Sequence, residues 1–179
     1  MRLLSLDLSI SSTGYSVYEV VEKNSFEILT YGRIPTNKID FLFDGEYSED
    51  LRTNYIGDVV NTIIEDFSID KIVIENTFVG GNNQISMSLK KLVGVVSRVC
   101  YLHNIIPVYF LATSWRKILG IKGNKSEKKI LTYEYVKENI IDIGELKSTG
   151  KDKNEDIYDS LAIGYAYLKK YKFIEWEEY

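Results

Sequence analysis

Hydrophobic and polar residues alternate at the start of the chain. In "RLLSLDLSI", Leu4, Leu6 and Leu8 fall on one side of an extended segment, with Ser5, Asp7 and Ser9 on the other. Two more β-type runs follow, so strands are predicted over 2–9, 13–21 and 26–34. Thr13-Gly14 and Asn24-Ser25 supply the turns, and Pro35 ends the third run. The spacing then lengthens. Leu51, Tyr55, Val59, Ile63 and Phe67 recur every four residues and predict a helix over 47–67. "KIVIEN" (71–76) reads as a short buried strand. Ile85, Leu89, Leu92, Val96 and Val99 predict a second helix over 84–103, and "IIPVYF" (105–110) a fifth strand. A brief helix at 112–119 and a glycine-lysine loop, "GIKGNKSEKK", lead into a helix ending near Asn139. A last helix, 153–171, carries Ile157, Leu161, Gly164 and Leu168 on its buried stripe, and an acidic aromatic tail follows.

Three strands, then alternating helices and strands, then helices, predict an α/β fold with one mixed sheet covered on both faces. Within it Asp7 poses a question. Simple alternation puts it on a solvated face. On a covered face, an unpaired carboxylate costs several kcal/mol unless it is protonated, paired or bound to a metal. Glu75 lies near the end of "KIVIEN". If the first and fourth strands are parallel neighbours, about 4.8 Å apart, both carboxylates reach the same end of the sheet. Asp156 and Asp159 stand i,i+3 at the start of the last helix, on one face. Two acids in a first turn are also what the helix dipole favours, so this pair has a purely structural reading as well.

Composition limits the chemistry. One cysteine (Cys100) excludes a disulfide framework, one histidine (His103) leaves too few ligands for a cysteine- or histidine-rich metal site, and catalysis is expected to run mainly on carboxylates. No run of about 18 apolar residues predicts a membrane span, and Met1 runs directly into a strand with no leader-like segment. These features fit a cytoplasmic protein, with residues 1–179 forming one domain. The net charge is −4, yet the 51 residues between Glu75 and Glu127 contain no acid. They hold Lys90, Lys91, Arg98, Arg116, Lys117, Lys122 and Lys125, while the rest of the chain carries all 26 acids against 15 Lys and Arg. A basic segment beside acidic flanks suits a polyanion-binding surface next to a metal site; a chance segregation of solvated charges gives the same count.

The ordered set "D7…STGYSV", "IVIENTF" and "EDIYDSLAIG" resembles the RuvC family of Holliday-junction resolvases in the RNase H-like superfamily. Asp7 with Thr13-Gly14-Tyr15 matches its first motif, Glu75 with Phe78 its second, and Asp156-Ile-Tyr-Asp159-Ser-Leu-Ala its last. Leu8-Ser9 stands where cellular members carry Pro-Gly, so the chain is more similar to divergent bacteriophage or viral forms.

The resemblance implies an RNase H-like fold with a five-stranded mixed sheet. It also implies a Mg2+-dependent endonuclease that resolves four-way DNA junctions by paired nicks, as a homodimer. Asp7, Glu75, Asp156 and Asp159 would be catalytic and hold two Mg2+ ions, for which Mn2+ can substitute; no small-molecule cofactor or membrane is implied. Hard oxygen ligands are what Mg2+ prefers, and two such ions suit phosphodiester hydrolysis. Lys117 and Lys128 resemble the family's phosphate-binding lysines, with Lys125 competing with Lys128 for that place. Phe78, ahead of Gly80-Gly81, would stack on an unpaired junction base or else cap the core. Lys90, Lys91, Arg116, Lys122 and Lys125 complete the expected DNA-contact set, unless they are ordinary solvated lysines and arginines. Other readings are a monomeric RNase H-like nuclease acting on flaps, forks or hybrids, a non-catalytic branched-DNA-binding protein, and an actin-like ATPase, for which "DLSISSTG" would be the first phosphate loop and the chain is too short.

Overall fold

The computed structural model describes residues 1–36, 49–76, 83–147, 149–150 and 153–174, with the backbone alone for 83–86. The first three strands, β1 (Arg2–Asp7), β2 (Ser12–Glu22) and β3 (Ser25–Pro35), form an antiparallel meander. Helix α1 (Glu49–Phe67), strand β4 (Lys71–Asn76), helix α2 (Asn83–Leu102) and strand β5 (Val108–Leu111) follow. Then come α3 (Ala112–Ile118), α4 (Lys125–Asn139) and α5 (Glu155–Lys170). The sheet order is β3-β2-β1-β4-β5, with β1, β4 and β5 parallel. This is the five-stranded mixed sheet expected from the order of elements. Among the described residues no helix is long and apolar enough to cross a membrane.

Both faces of the sheet are covered. Leu4, Leu6, Leu8, Ile72 and Ile74 pack under α1 and α2 with Ile56, Val60, Leu92 and Val96. Leu3, Tyr18, Val73 and Phe110 pack under α5 and α3 with Leu161, Ile163 and Trp115. The alternation in β1 therefore separates two cores rather than a core from solvent. Ser5 is fully buried, and its hydroxyl donates to the carbonyl of Ser160 in α5 at 2.7 Å. Asp7, half-buried at the end of β1, therefore lies on the face that α5 covers and not on an open one.

Three local expectations are corrected. Thr13 and Gly14 lie inside β2, and the chain turns at 8–11 instead. Helix α1 buries Thr53, Ile56, Gly57, Val60, Ile63 and Ile64. A stripe repeating every four residues drifts around a helix of 3.6 residues per turn, so Leu51 and Tyr55 rotate off the face that Ile63 shares. Strand β5 starts at Val108, since Pro107 has no N–H for the ladder. Just before it, Asn104 takes a left-handed φ of 58° as α2 ends.

Candidate active site

The register of β1 against β4 sets Leu6 beside Ile74, so its next step brings Asp7 level with Glu75. Asp7 ends β1, rather than sitting mid-strand as expected, and Glu75 is the next-to-last residue of β4. Both point to the face that α5 covers. Helix α5 is fixed there by Ser5 and by the Tyr18 hydroxyl, which donates to the Leu161 carbonyl at 2.5 Å. Gly14 lies opposite Asp7 in β2 and touches the first turn of α5. A Cβ at that position would fall 1.9 Å from the Asp156 carbonyl oxygen and 2.4 Å from its carbon. The absence of a side chain at Gly14 thus lets Asp156 and Asp159 approach the strand ends.

The resulting site is strongly acidic. Burial raises the Asp7 carboxyl well above the ordinary carboxylate range, and Asp159, Glu75 and Asp156 raise it further, with Arg116 opposing. Glu75 is raised by burial as well, against a hydrogen bond from Trp115 and the charge of Arg116. Asp159 is pushed up to about 7, chiefly by burial and then by Glu75, Glu155 and Asp156, again against Arg116. Burial is the largest cause for all three carboxyls, and neighbouring acids add to it for Asp7 and Asp159.

Four protein groups answer part of that charge, and the sequence had singled out only one of them, in another role. Trp115 is fully buried in α3, and its indole Nε1 donates to Glu75 Oε2 at 2.7 Å. Arg116 was expected on the DNA-contact surface. Instead its side chain is largely buried, with Nη2 3.7 Å from Asp159 Oδ2 and the guanidinium 4.2 Å from the centre of the Trp115 ring. Lys153 donates to Asp156 Oδ1 at 3.0 Å. Lys129 meets Glu155 at 2.5 Å and ties α4 to the start of α5. Two signals were available in the chain. A buried Trp needs an acceptor for its N–H, and Lys153 stands i,i+3 before Asp156.

The remaining predicted residues lie away from the carboxylates or at their margin. Lys117, Lys122 and Lys125 are exposed on α3, the following loop and the start of α4, and Lys128 is half-buried in the first turn of α4. That turn is fixed by a capping box in which Asn124 Oδ1 accepts from the Ser126 and Glu127 amides and Glu127 accepts from the Asn124 amide. Lys90 is exposed on α2. Lys91 is exposed too, and it pairs with Asp50 at 3.1 Å and Glu49 at 3.5 Å on α1. Phe78 lies outside the described residues.

The donor set fits a hard divalent cation. Four carboxylates lie at one end of the sheet, and Asp156 Oδ2 is buried without a partner on a side chain only 10% exposed. As they stand, no three His, Cys, Asp or Glu side chains among the described residues are drawn closely enough together to ligate one ion. Arg116 and Lys153 face two of the four acids in this conformation.

A mixed sheet with carboxylates at the ends of β1 and β4 and on a helix crossing them has the RNase H-like fold. The profile of the family "Crossover junction endodeoxyribonuclease RuvC" matches residues 3–167, and the chain belongs to that family of junction-resolving endonucleases. Membership implies dependence on a divalent metal ion. The crossover junction endodeoxyribonuclease RuvC of Caldicellulosiruptor saccharolyticus is 20% identical over 178 residues, covering 99% of this chain and 98% of the relative. That of Fusobacterium nucleatum is 25% identical over 164 residues, covering 91% and 77%. Among solved structures, T. thermophilus RuvC in complex with Holliday junction substrate shares the fold at a TM-score of 0.66 with 14% identity, covering 93% of this chain and 91% of its own. The Fowlpox virus resolvase in complex with Holliday junction DNA does so at 0.64 with 15% identity, covering 96% and 99%.

Proposed function

We propose that residues 1–179 form one nuclease domain that binds four-way DNA junctions as a homodimer and cuts them by paired nicks, using two Mg2+ ions with Mn2+ as a working substitute. The observation that carries this reading is the convergence of Asp7, Glu75, Asp156 and Asp159 at one end of the sheet, with raised carboxyl pKa values on three of them and an unpartnered oxygen on the fourth. Asp7, Glu75, Asp156 and Asp159 would hold the ions. Bound there, two such ions would supply an activated water for attack on phosphorus and positive charge for the departing 3′ oxygen.

The chain's own residues supply position and charge. Strands β1 and β4 hold Asp7 and Glu75 on rigid backbone, Trp115 fixes the rotamer of Glu75, and Gly14 sets the distance of the Asp156 turn. Lys117 and Lys128 flank the backbone at the scissile phosphate; Lys90, Lys122 and Lys125 extend the contact along the duplex arms, with Lys91 joining when its pairs with α1 open. Arg116 belongs to the carboxylate site in this reading. Phe78 follows β4 by two residues and would stack on an unpaired base.

The dimer is supported by α2. Its outward face carries Met87 (62% exposed) and Tyr101 (70% exposed), and a Cβ at Gly94 would meet nothing within 4 Å. Two symmetric cuts in a four-way junction call for two sites related by a twofold axis. The departure at Leu8-Ser9 supports a divergent, phage- or virus-type member, working in the cytoplasm of a bacterium or infected cell. The test is a panel of a synthetic four-way junction, a fork, a flap and a linear duplex, each with and without Mg2+. Symmetric paired nicks in the junction alone support the proposal. Equal cleavage of fork or flap by a species that sediments as a monomer overturns the resolvase reading.

A further inference from the structure

Within the acidic site the protein keeps a cation of its own. Arg116 Nη2 is 3.7 Å from Asp159 Oδ2, and both side chains are less than a fifth exposed. The guanidinium lies against the Trp115 ring at 4.2 Å from its centre, and the same indole donates to Glu75. Arg116 is also the basic group whose charge reaches Asp7, Glu75 and Asp159 alike. Its hold is nevertheless incomplete. The contact to Asp159 is longer than a good charge-assisted hydrogen bond, and Arg116 Nε is buried with no acceptor. Charge and the aromatic face keep the guanidinium there rather than a full set of hydrogen bonds.

We propose that Arg116 is a countercation of the four-acid site and competes with divalent ions for it, so that ion loading requires the guanidinium to withdraw from Asp159. A guanidinium and a divalent ion are like charges and share one carboxylate only at a repulsive cost. Lys153 faces Asp156 in a similar way, but it is more exposed than Arg116 and lies on the chain just before α5, where it can turn to solvent. Arg116 reaches from α3 to Asp159 on α5 with its guanidinium against the Trp115 ring, so its withdrawal changes the surroundings of that indole. The indole therefore reports the exchange. This inference rests on the metal-dependent reading above.

The test is metal binding without DNA or turnover. Mn2+ is titrated at fixed ionic strength into the full chain and its Arg116→Met and Arg116→Lys variants, with free Mn2+ followed by EPR. Trp115 fluorescence is read in a Trp176→Phe background. Arg116→Met should bind Mn2+ at least tenfold more tightly, and Arg116→Lys, which keeps the charge, within about threefold of the parent. Unchanged or weaker Mn2+ binding by Arg116→Met overturns the competition while leaving the metal reading intact; no binding by any of the three overturns both. Should Arg116→Met fail to fold, the parent chain decides the matter by NMR. The Arg116 Nε–H signal should shift and gain solvent exchange on saturation with Mg2+, and a signal that stays fixed overturns the proposal.

Discussion

Gly14 and Asp156 meet backbone to backbone: a Cβ on the glycine would lie 1.9 Å from the aspartate's carbonyl oxygen. No real Cβ tolerates that distance, so a methyl group there must push the first turn of α5 off β2. Asp156 and Asp159 would recede from Asp7 and Glu75. Gly14→Ala is expected to lower stability by about 1–3 kcal/mol, in the range of overpacked cores. Mn2+ affinity should fall tenfold or more in the fraction that remains folded. Calorimetry and a Mn2+ titration on one sample check both effects, and normal metal binding would remove Gly14 from the list of positioning residues.

Trp115 and Glu75 give a second expectation. Trp115→Phe keeps most of the buried ring but deletes the donor to Glu75 Oε2. A buried acceptor left unpaired costs about 1–3 kcal/mol. Freed from the indole, Glu75 should hold its proton to a higher pH. The acid limb of the pH–rate profile should therefore move to higher pH in single-turnover cleavage. A variant with lower stability and an unmoved profile would show that Trp115 only packs.

Stability without metal should depend on pH in a direction opposite to ordinary acid denaturation. The Asp159 carboxyl is raised from an ordinary value of 3.8 to about 7, chiefly by burial. In that window the folded state keeps a proton that the unfolded state has released. The stabilisation is complete below about pH 4 and is lost as pH rises to about 7. In EDTA, the melting temperature should fall between pH 5 and pH 8, each kcal/mol corresponding to about 2–4 °C in a chain of this size. Asp159→Asn should flatten the slope, and Mg2+ should restore the loss at pH 8. A melting temperature that rises over this interval in EDTA contradicts the assignment.

The lysines separate by what they touch. Junction affinity should fall with salt, each neutralised phosphate adding about −0.9 to the slope of log K against log salt. Lys117→Ala and Lys128→Ala should reduce single-turnover cleavage more than affinity, whereas Lys90→Ala should reduce affinity alone. Equal losses in rate and affinity at Lys117 and Lys128 would place them on the general binding surface.

The strands and the Asp156–Asp159 pair were legible in the sequence because each rests on a local rule, whereas Asp7 and Glu75 were joined only through an assumed adjacency of their strands and the family resemblance. Period-two runs and turn residues mark the meander, and the DxxD spacing puts Asp156 and Asp159 on one helix face. What surrounds the acids was not legible. Alternation left the side of Ser5 and Asp7 open between a solvated and a covered face, since it does not say what covers each face of a sheet, and only the crossing of α5 decides that. Arg116 looked like one more cation of a basic segment. Its place in the site depends on α3 packing against α5, a long-range contact that no spacing encodes. Gly14 read as a turn residue because glycine signals a turn and a close backbone approach with the same letter.

The central claim is that Asp7 belongs to a metal-dependent cleavage site, and one comparison addresses it directly. The parent chain and Asp7→Asn are incubated with a labelled four-way junction under single-turnover conditions with and without Mg2+, and junction affinity is measured beside the rate. Asp7→Asn should lose at least a thousandfold in Mg2+-dependent cleavage (about 4 kcal/mol in the barrier) while binding the junction as tightly as the parent or more so. Removing a negative charge that faces phosphate can only help binding. Cleavage by Asp7→Asn at the parent's rate, or by the parent in EDTA, would contradict the account.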